Sequence, residues 1–207
     1  RPLRRMLAFA TVSPAGIMLA GLGALTVDGT GGMLVYVVGH GLVKGALFMI
    51  AGILLATQAS IDEIALRGLG RGIWPAGVAM ALAGLLLCGL PLGVLDQGTR
   101  LVQGALAQQG PGIALADGAT GAALPGAAAL RAAGRIFLGL GPDPGDEAGA
   151  PSEDEREKAN RPLWLMLAPC CLLLALDVGV PAGLIEHALP RAASAFLHRP
   201  AVETLAE

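Results

Sequence analysis

The sequence has few charged and few aromatic residues. Of its 207 residues, 14% are charged and 3% aromatic, whereas 54% are hydrophobic. Because soluble domains carry about 25% charged residues, this shortage argues against a water-soluble protein and indicates an integral membrane protein. The formal net charge of −2 is the sum of separate charged blocks and indicates no nucleic-acid partner.

Cysteine is scarce too. Cys88, Cys170 and Cys171 lie in apolar runs without C-x-x-C spacing, so we interpret them as small buried hydrophobes rather than metal ligands or disulfide partners. No motif for a metal, flavin, nucleotide or nucleophile is present. We therefore expect no cofactor, no metal and no redox chemistry in this chain itself. The chain starts at Arg1 without a signal-peptide pattern, and we interpret it as a fragment lacking its N-terminal part.

Long apolar runs, by contrast, are abundant. They predict an all-α, polytopic transmembrane helix bundle of about five spans. Pro14 predicts a kink in the first span, 27–32 is predicted to be a short turn, and Ser60 with Glu63 matches a capping-box pattern. The predicted spans lie near residues 6–25, 33–56, 73–108, 113–140 and 163–180.

The other spans are arranged around the run 33–56. Its ionisable side chains are Tyr36, His40 and Lys44, each four residues from the next, so a helix places them on one face. A charged lysine near the bilayer centre costs about 2.5–3.5 kcal/mol on insertion scales. We therefore predict that these side chains face protein or water and form a proton pathway. The alternative is a structural role, with Lys44 paired to an acid on another helix.

The run 73–108 is too long for one straight span, since it would extend about 54 Å at ~1.5 Å per residue. Pro91 and Gly93 interrupt it, and a polar stretch follows. We predict a helix broken at membrane depth, where Asp96 and Arg100, four residues apart, form a buried ion pair. An ordinary loop between two shorter helices is the alternative.

Basic residues concentrate in alternate connections between the spans. They occur before the first span, between the second and third, and from the second half of the fourth span onward, whereas 27–32 and 108–112 contain none. This is the positive-inside pattern, and it predicts a cytoplasmic N-terminus. The residues are Arg1, Arg4, Arg5, Arg67, Arg71, Arg131, Arg135, Arg156, Lys158 and Arg161.

An acidic, proline-containing segment divides the chain into three parts. We predict a transmembrane region at 1–141, a solvated linker at 142–161, and a C-terminal transmembrane helix with its tail at 162–207. The first of these regions contains five segments in order: RPLRRMLAFATVSPAGIM, YVVGHGLVKGALFMIAGILL, LRGLGR, GLPLG and LRAAGRIFLG. We label this region antiporter-like because of the following resemblance. Over about residues 1–141, the chain resembles the proton-translocating antiporter-like subunits of respiratory NADH–quinone oxidoreductase, membrane-bound hydrogenases and multisubunit sodium/proton antiporters. Those subunits contain two inverted helix repeats, and this chain is similar to the C-terminal repeat and tail.

The resemblance implies roles for particular residues. The H-x-x-x-K of the central helix, here His40 and Lys44, belongs to a chain of titratable residues and water across the midplane. The family places a lysine or glutamate after its G-L-P motif, and Thr99 falls near that place here. A histidine common in the first helix is Pro14 in this sequence.

These observations lead to one main hypothesis and one alternative. The first is a proton-translocating or proton/cation antiporter-like subunit. It would move protons across the membrane, or exchange sodium for protons, as one of several membrane subunits of a larger complex. Its setting would be the lipid bilayer of a bacterial-type inner membrane. The alternative is a transport-inactive structural subunit of such a complex. The two differ in whether another buried acid or base takes the place of the charge missing after Pro91.

Overall fold

The computed structural model describes residues 3–58, 60–110, 123–141 and 163–180. Within these ranges the regular elements are helical, which confirms the predicted all-α class. The linker 142–161, the tail after 180 and the first part of the predicted span 113–140 lie outside the described residues. The elements are α1 (Leu3–Phe9), α2 (Val12–Gly23), α3 (Val27–Gln58), a 3₁₀ segment (Leu69–Ile73), α4 (Trp74–Leu87), α5 (Gly93–Gln109), α6 (Ala123–Ala133), a π-helical segment (Gly134–Leu138) and α7 (Leu163–Gly179).

Several of these helices have the length and composition of membrane spans. Leu3–Gly23, Val27–Gln58 and Leu69–Leu87 are long and apolar enough to cross a bilayer, and Leu165–Gly179 is a shorter apolar helix. Large hydrophobic side chains also cover the outside of the bundle, as expected for a surface that contacts lipid tails. The protein is therefore an integral membrane helix bundle. Examples of the outward-facing residues are Phe9, Leu19, Val38, Val78 and Leu172.

The first span is interrupted at Ala10 and Thr11, one turn before Pro14, which confirms the predicted kink. Pro14 has no N–H to bond the Ala10 carbonyl. The Thr11 N–H bonds the Ala8 carbonyl at 3.2 Å, whereas in a continuous helix it would bond Leu7. The Leu7 carbonyl is thereby released from the helix ladder.

The central helix begins earlier than the sequence predicted. Residues 27–32, predicted to be a turn, are helical, so that prediction was wrong. The Thr26 hydroxyl accepts the Gly29 N–H at 3.0 Å. Gly32 packs so closely on α5 that a Cβ there would lie 2.7 Å from the Leu101 Cβ. This packing outweighs the helix-propensity cost of glycine, about 1 kcal/mol per residue.

The capping-box prediction for Ser60 and Glu63 was also wrong. The Ser60 hydroxyl accepts the Asp62 N–H at 3.2 Å, and no α-helix begins there. Glu63 is buried instead. Its Oε2 accepts a hydrogen bond from Arg131 Nη2 at 3.1 Å, and its Oε1 lies 3.3 Å from Arg135 Nη1. The carboxylate therefore ties the loop after α3 to the last turns of α6 and the π-helical segment.

Contacts between loops define one end of the bundle. The Leu3 N–H donates to the Ile61 carbonyl at 2.8 Å, and Arg67 Nε donates to the Gly139 carbonyl at 3.0 Å. The start of α1, the loop after α3 and the end of the π-helical segment thus share one end, as the basic-residue pattern predicted. We call it the basic end, and it is defined by Arg67, Arg71, Arg131 and Arg135.

The predicted interruption of 73–108 is confirmed. The segment between α4 and α5 contains Gly89 with φ of 93°, and α5 begins at Gly93 with φ of 87°, a left-handed conformation that favours glycine. The Leu95 backbone packs directly on Gly39, which lies near the middle of α3. The interruption therefore lies beside the central part of α3, with Val94 and Leu95 buried, although Cys88, Gly89, Pro91 and Leu92 are themselves exposed.

Helix α3 is covered most extensively by α5 and next by α7. At the end opposite the basic end, Gln109 Nε2 of α5 donates to the Ala24 carbonyl at 2.9 Å. Helix α7 reaches α3 through Cys170, whose Sγ lies 3.7 Å from the Ala46 carbonyl oxygen. Consequently the middle of α3 is enclosed by helices that come from distant parts of the chain. Cys170 is buried, but Cys88 and Cys171 are exposed, so the prediction of buried cysteines was wrong for these two.

Candidate functional site

The three predicted pathway residues lie together in the interior. Tyr36, His40 and Lys44 are 3%, 7% and 5% exposed. The Tyr36 and His40 rings are stacked, with centroids 5.8 Å apart and planes inclined by 12°. One face of α3 thus carries an aromatic hydroxyl, an imidazole and an ammonium group in succession.

Lys44 has a neutral partner. Its Nζ donates to the Leu7 carbonyl oxygen at 2.6 Å, and this is the carbonyl released by the break between α1 and α2. Over the part of the chain that the structure describes, no carboxylate pairs with Lys44. The ammonium group is therefore stabilised by a backbone dipole without a counter-ion, and the kink before Pro14 supplies that dipole.

His40 is buried with unused hydrogen-bonding capacity. Neither Nδ1 nor Nε2 has a hydrogen-bond partner among the described residues. Buried polar groups are normally hydrogen-bonded, and exceptions concentrate at functional positions. The ring stacks on Tyr36 and lies one helical turn from Lys44, so an imidazole ring and an ammonium group share one face.

The ion pair predicted in α5 is present, but its predicted burial was only half right. Arg100 Nε lies 2.7 Å from Asp96 Oδ2. The Asp96 side chain is 14% exposed, whereas that of Arg100 is 64% exposed. The residues of α5 that pack on α3 and α2, such as Gly98 and Val102, lie on the opposite side of the helix from Arg100. The guanidinium group therefore points away from the bundle.

This asymmetry predicts unequal effects of breaking the pair. Arg100→Ala leaves a mostly buried carboxylate uncompensated and should lower the yield of assembled protein. Asp96→Ala leaves a guanidinium group on the outside of the bundle, where its long side chain can extend toward the membrane surface, so its effect should be smaller than that of Arg100→Ala. Adding Asp96→Ala to Arg100→Ala should restore much of the yield. The prediction would be contradicted if both single variants lowered the yield equally and the loss in the double variant were their sum.

Sequence reasoning missed one buried acid near the break in the helix. Asp177 of α7 is 0% exposed, and its Oδ1 accepts the Leu95 N–H at 3.1 Å. The available signal was a lone carboxylate near the end of an apolar run. Among the described residues, no three His, Cys, Asp or Glu side chains converge as metal ligands.

Comparison with known proteins identifies the family. The family described as "NADH:quinone oxidoreductase/Mrp antiporter, TM" matches residues 1–106, which covers α1 to α4 and most of α5, with both the Lys44 face and the broken helix. The chain belongs to this family. The resemblance drawn from the sequence motifs is therefore confirmed.

Relatives of this family extend well beyond the matched segment. F(420)H(2) dehydrogenase subunit L of Methanosarcina mazei is 32% identical over 100 residues, 47% of this chain and 15% of the relative. NADH-quinone oxidoreductase subunit M of Mycobacterium tuberculosis is 36% identical over 58 residues, 28% of this chain and 10% of the relative. The chloroplastic NAD(P)H-quinone oxidoreductase chain 4 of Marchantia polymorpha is 30% identical over 108 residues, 46% of this chain and 22% of the relative. The match thus spans less than a quarter of each relative.

Proposed function

We propose that this chain is a proton-translocating or proton/cation antiporter-like membrane subunit in which Lys44 and His40 relay protons near the bilayer midplane. The observation that carries the proposal is the buried Lys44 ammonium of α3, whose partner among the described residues is the Leu7 carbonyl of α1. Ionisable residues at membrane depth are costly and mark ion or proton pathways by default. Membership of the antiporter family supports the same reading.

The relay follows from the chemistry of the two side chains. A lysine without a counter-ion gains little from staying charged, because an opposite charge within about 4–6 Å is what favours the charged form. Lys44 can therefore release a proton, and a His40 ring nitrogen can accept it. Tyr36, stacked on His40, extends the same face by one helical turn with a hydroxyl group.

The setting is proposed from the relatives. Their names assign them to dehydrogenase and quinone oxidoreductase complexes, and we propose that this chain likewise assembles with other membrane subunits, in a bacterial-type inner membrane. We further propose that it is part of a longer antiporter-like subunit. In it, 1–141 would form the transmembrane region, 142–161 a solvated linker, and 162–207 the last helix and tail.

The deciding experiment measures proton uptake by inverted membrane vesicles that contain the intact complex, driven by that complex's own electron donor. Lys44→Ala should abolish uptake while the complex stays assembled. Gly41→Ala serves as a matched control on α3, because a Cβ at Gly41 would meet no atom within 4 Å. Uptake at the wild-type rate in Lys44→Ala vesicles would contradict the relay.

A structural subunit without transport is the second candidate, and Thr99 favours it. In the family resemblance a lysine or glutamate stands near this position, whereas the Thr99 hydroxyl donates to the Leu95 carbonyl of its own helix at 2.9 Å. Under this alternative, Lys44→Ala would lower assembly of the complex but leave the proton uptake of each assembled complex unchanged.

The proposed orientation places the basic end in the cytoplasm, and cysteine labelling tests it. Cys88 and Cys171 are exposed and should first be replaced by alanine. A membrane-impermeant maleimide should label Gly72→Cys, at the basic end, only in inverted vesicles. It should label Asp28→Cys, at the opposite end, only in intact spheroplasts. Both positions are exposed, and labelling of both from one side would rule out this topology.

A further inference from the structure

Helix α5 begins beside the central part of α3, where Val94 and Leu95 are buried, and its first N–H groups need acceptors. The first four N–H groups of a helix have no partner within it, and the helix dipole places partial positive charge there. Leu92, which precedes α5, provides no side-chain cap. At membrane depth this helix end therefore needs an acceptor from elsewhere in the fold.

Asp177 of α7 provides that acceptor with one of its two carboxylate oxygens. Its Oδ1 accepts the Leu95 N–H at 3.1 Å. Its Oδ2 has no hydrogen-bond partner among the described residues, and the side chain is 0% exposed. Capping the Leu95 N–H requires only one carboxylate oxygen, so Oδ2 is a buried acceptor that the cap does not use. It is the atom at which a proton can bind.

Close backbone packing holds Asp177 Oδ2 against the first turn of α5. A Cβ at Gly93 would collide with Asp177 Oδ2 and would lie 2.8 Å from the Asp177 backbone oxygen. Glycine at 93 therefore lets α7 bring its carboxylate against the first turn of α5. On its other side, the Leu95 backbone packs on Gly39, the residue before His40. The carboxylate thus lies in the same layer of the bundle as the α3 pathway residues.

We propose that Asp177 is a proton-binding carboxylate of the pathway that includes Lys44 and His40, an inference that rests on the proposed function. In its charged form, Asp177 is stabilised by the Leu95 N–H and by the positive end of α5. Oδ2 accepts a proton to give the neutral acid and releases the same proton to restore the carboxylate. Throughout this exchange Oδ1 remains bound to Leu95. The helix break thereby supplies the pathway with an acid from α7.

The test separates proton binding from capping. Asp177→Asn keeps an oxygen that accepts the Leu95 N–H but loses the carboxylate that takes up a proton. In the vesicle assay, the assembled Asp177→Asn complex should lose proton uptake by roughly tenfold or more, the scale of a lost proton-transfer group. Asp28→Asn is the matched control, because Asp28 is a helical acid exposed at the end opposite the basic end. It should pump at the wild-type rate.

A spectroscopic readout supports the kinetic one. The infrared difference spectrum between resting and turning-over complex should contain the carbonyl band of a protonated carboxylic acid. That band should be lost in Asp177→Asn and kept in Asp28→Asn. If Asp177→Asn does not assemble, Asp177→Ser, whose hydroxyl oxygen can also accept the Leu95 N–H, replaces it.

The outcomes also separate this inference from the proposed function. Wild-type uptake in an assembled Asp177→Asn or Asp177→Ser complex overturns the inference, whatever Lys44→Ala does, and leaves Asp177 as a helix cap. Wild-type uptake in Lys44→Ala overturns the relay. An infrared difference spectrum that is unchanged in Asp177→Asn also overturns the inference, because the protonated group then lies elsewhere.

Discussion

Replacing Lys44 by alanine should eliminate most proton translocation by the assembled complex. Proton transfer by a positioned side chain contributes about 10²–10⁴-fold to a rate, and no other lysine lies on α3. The variant removes a buried charge with an insertion cost of about 2.5–3.5 kcal/mol, so assembly should be retained or improved. The measurement is proton uptake per assembled complex in inverted vesicles, normalised to the amount of this chain.

Lys44→Arg should be nearly as damaging as Lys44→Ala, for a different reason. A guanidinium group keeps its charge and can still donate to the Leu7 carbonyl, but it does not release a proton in the usable range. The variant therefore preserves the hydrogen bond and removes the proton exchange. If Lys44→Arg translocated protons at the wild-type rate, a fixed positive charge would suffice and the relay role of Lys44 would be wrong.

Adding a single methyl group at Gly39 or Gly98 should cause a large loss of stability in the bundle. A Cβ at Gly39 would lie 2.6 Å from the Leu95 Cα, and a Cβ at Gly98 would lie 2.6 Å from the Tyr36 Cα. Both collisions are with backbone, so α3 and α5 must separate. Overpacking typically costs about 1–3 kcal/mol. Gly39→Ala and Gly98→Ala should lower the melting temperature of the detergent-solubilised complex and the yield of assembled protein.

Two glycines on the same helices provide matched controls. Gly41 of α3 and Gly104 of α5 are exposed, and a Cβ at either would meet no atom within 4 Å. Because alanine is favoured over glycine in helices by about 1 kcal/mol, Gly41→Ala and Gly104→Ala should leave stability unchanged or raise it. Equal destabilisation by all four changes would mean that the close contact of α3 and α5 is not what the glycines provide.

Local sequence was sufficient to predict the helices and the polar face of α3. Apolar length determines a span, and spacing by four determines a shared helix face, so the positions of Tyr36, His40 and Lys44 followed from the sequence alone. Pro14 and the glycines around Pro91 likewise predicted both interruptions, because their backbone preferences act within one or two turns.

Partners that are distant in sequence could not be predicted. The Leu95–Asp177 hydrogen bond joins residues 82 positions apart, and the Lys44–Leu7 bond joins residues 37 apart. The early start of α3 was missed because tertiary packing of Gly32 overrides its weak helix propensity. The exposure of Arg100 depends on which side of α5 packs against its neighbours, and the spacing of charges within α5 does not determine that.

The location of Asp177 on α7 has a consequence for biosynthesis. The ribosome delivers α3, α4 and α5 to the membrane before α7, so the polar face of α3 and the broken helix enter the bilayer while the start of α5 still lacks its acceptor. The carboxylate arrives only when α7, the last of the described helices, docks beside Gly93. Lys44 and His40 are therefore in the membrane before Asp177 is synthesised, and docking of α7 is the step that places Asp177 in the same bundle.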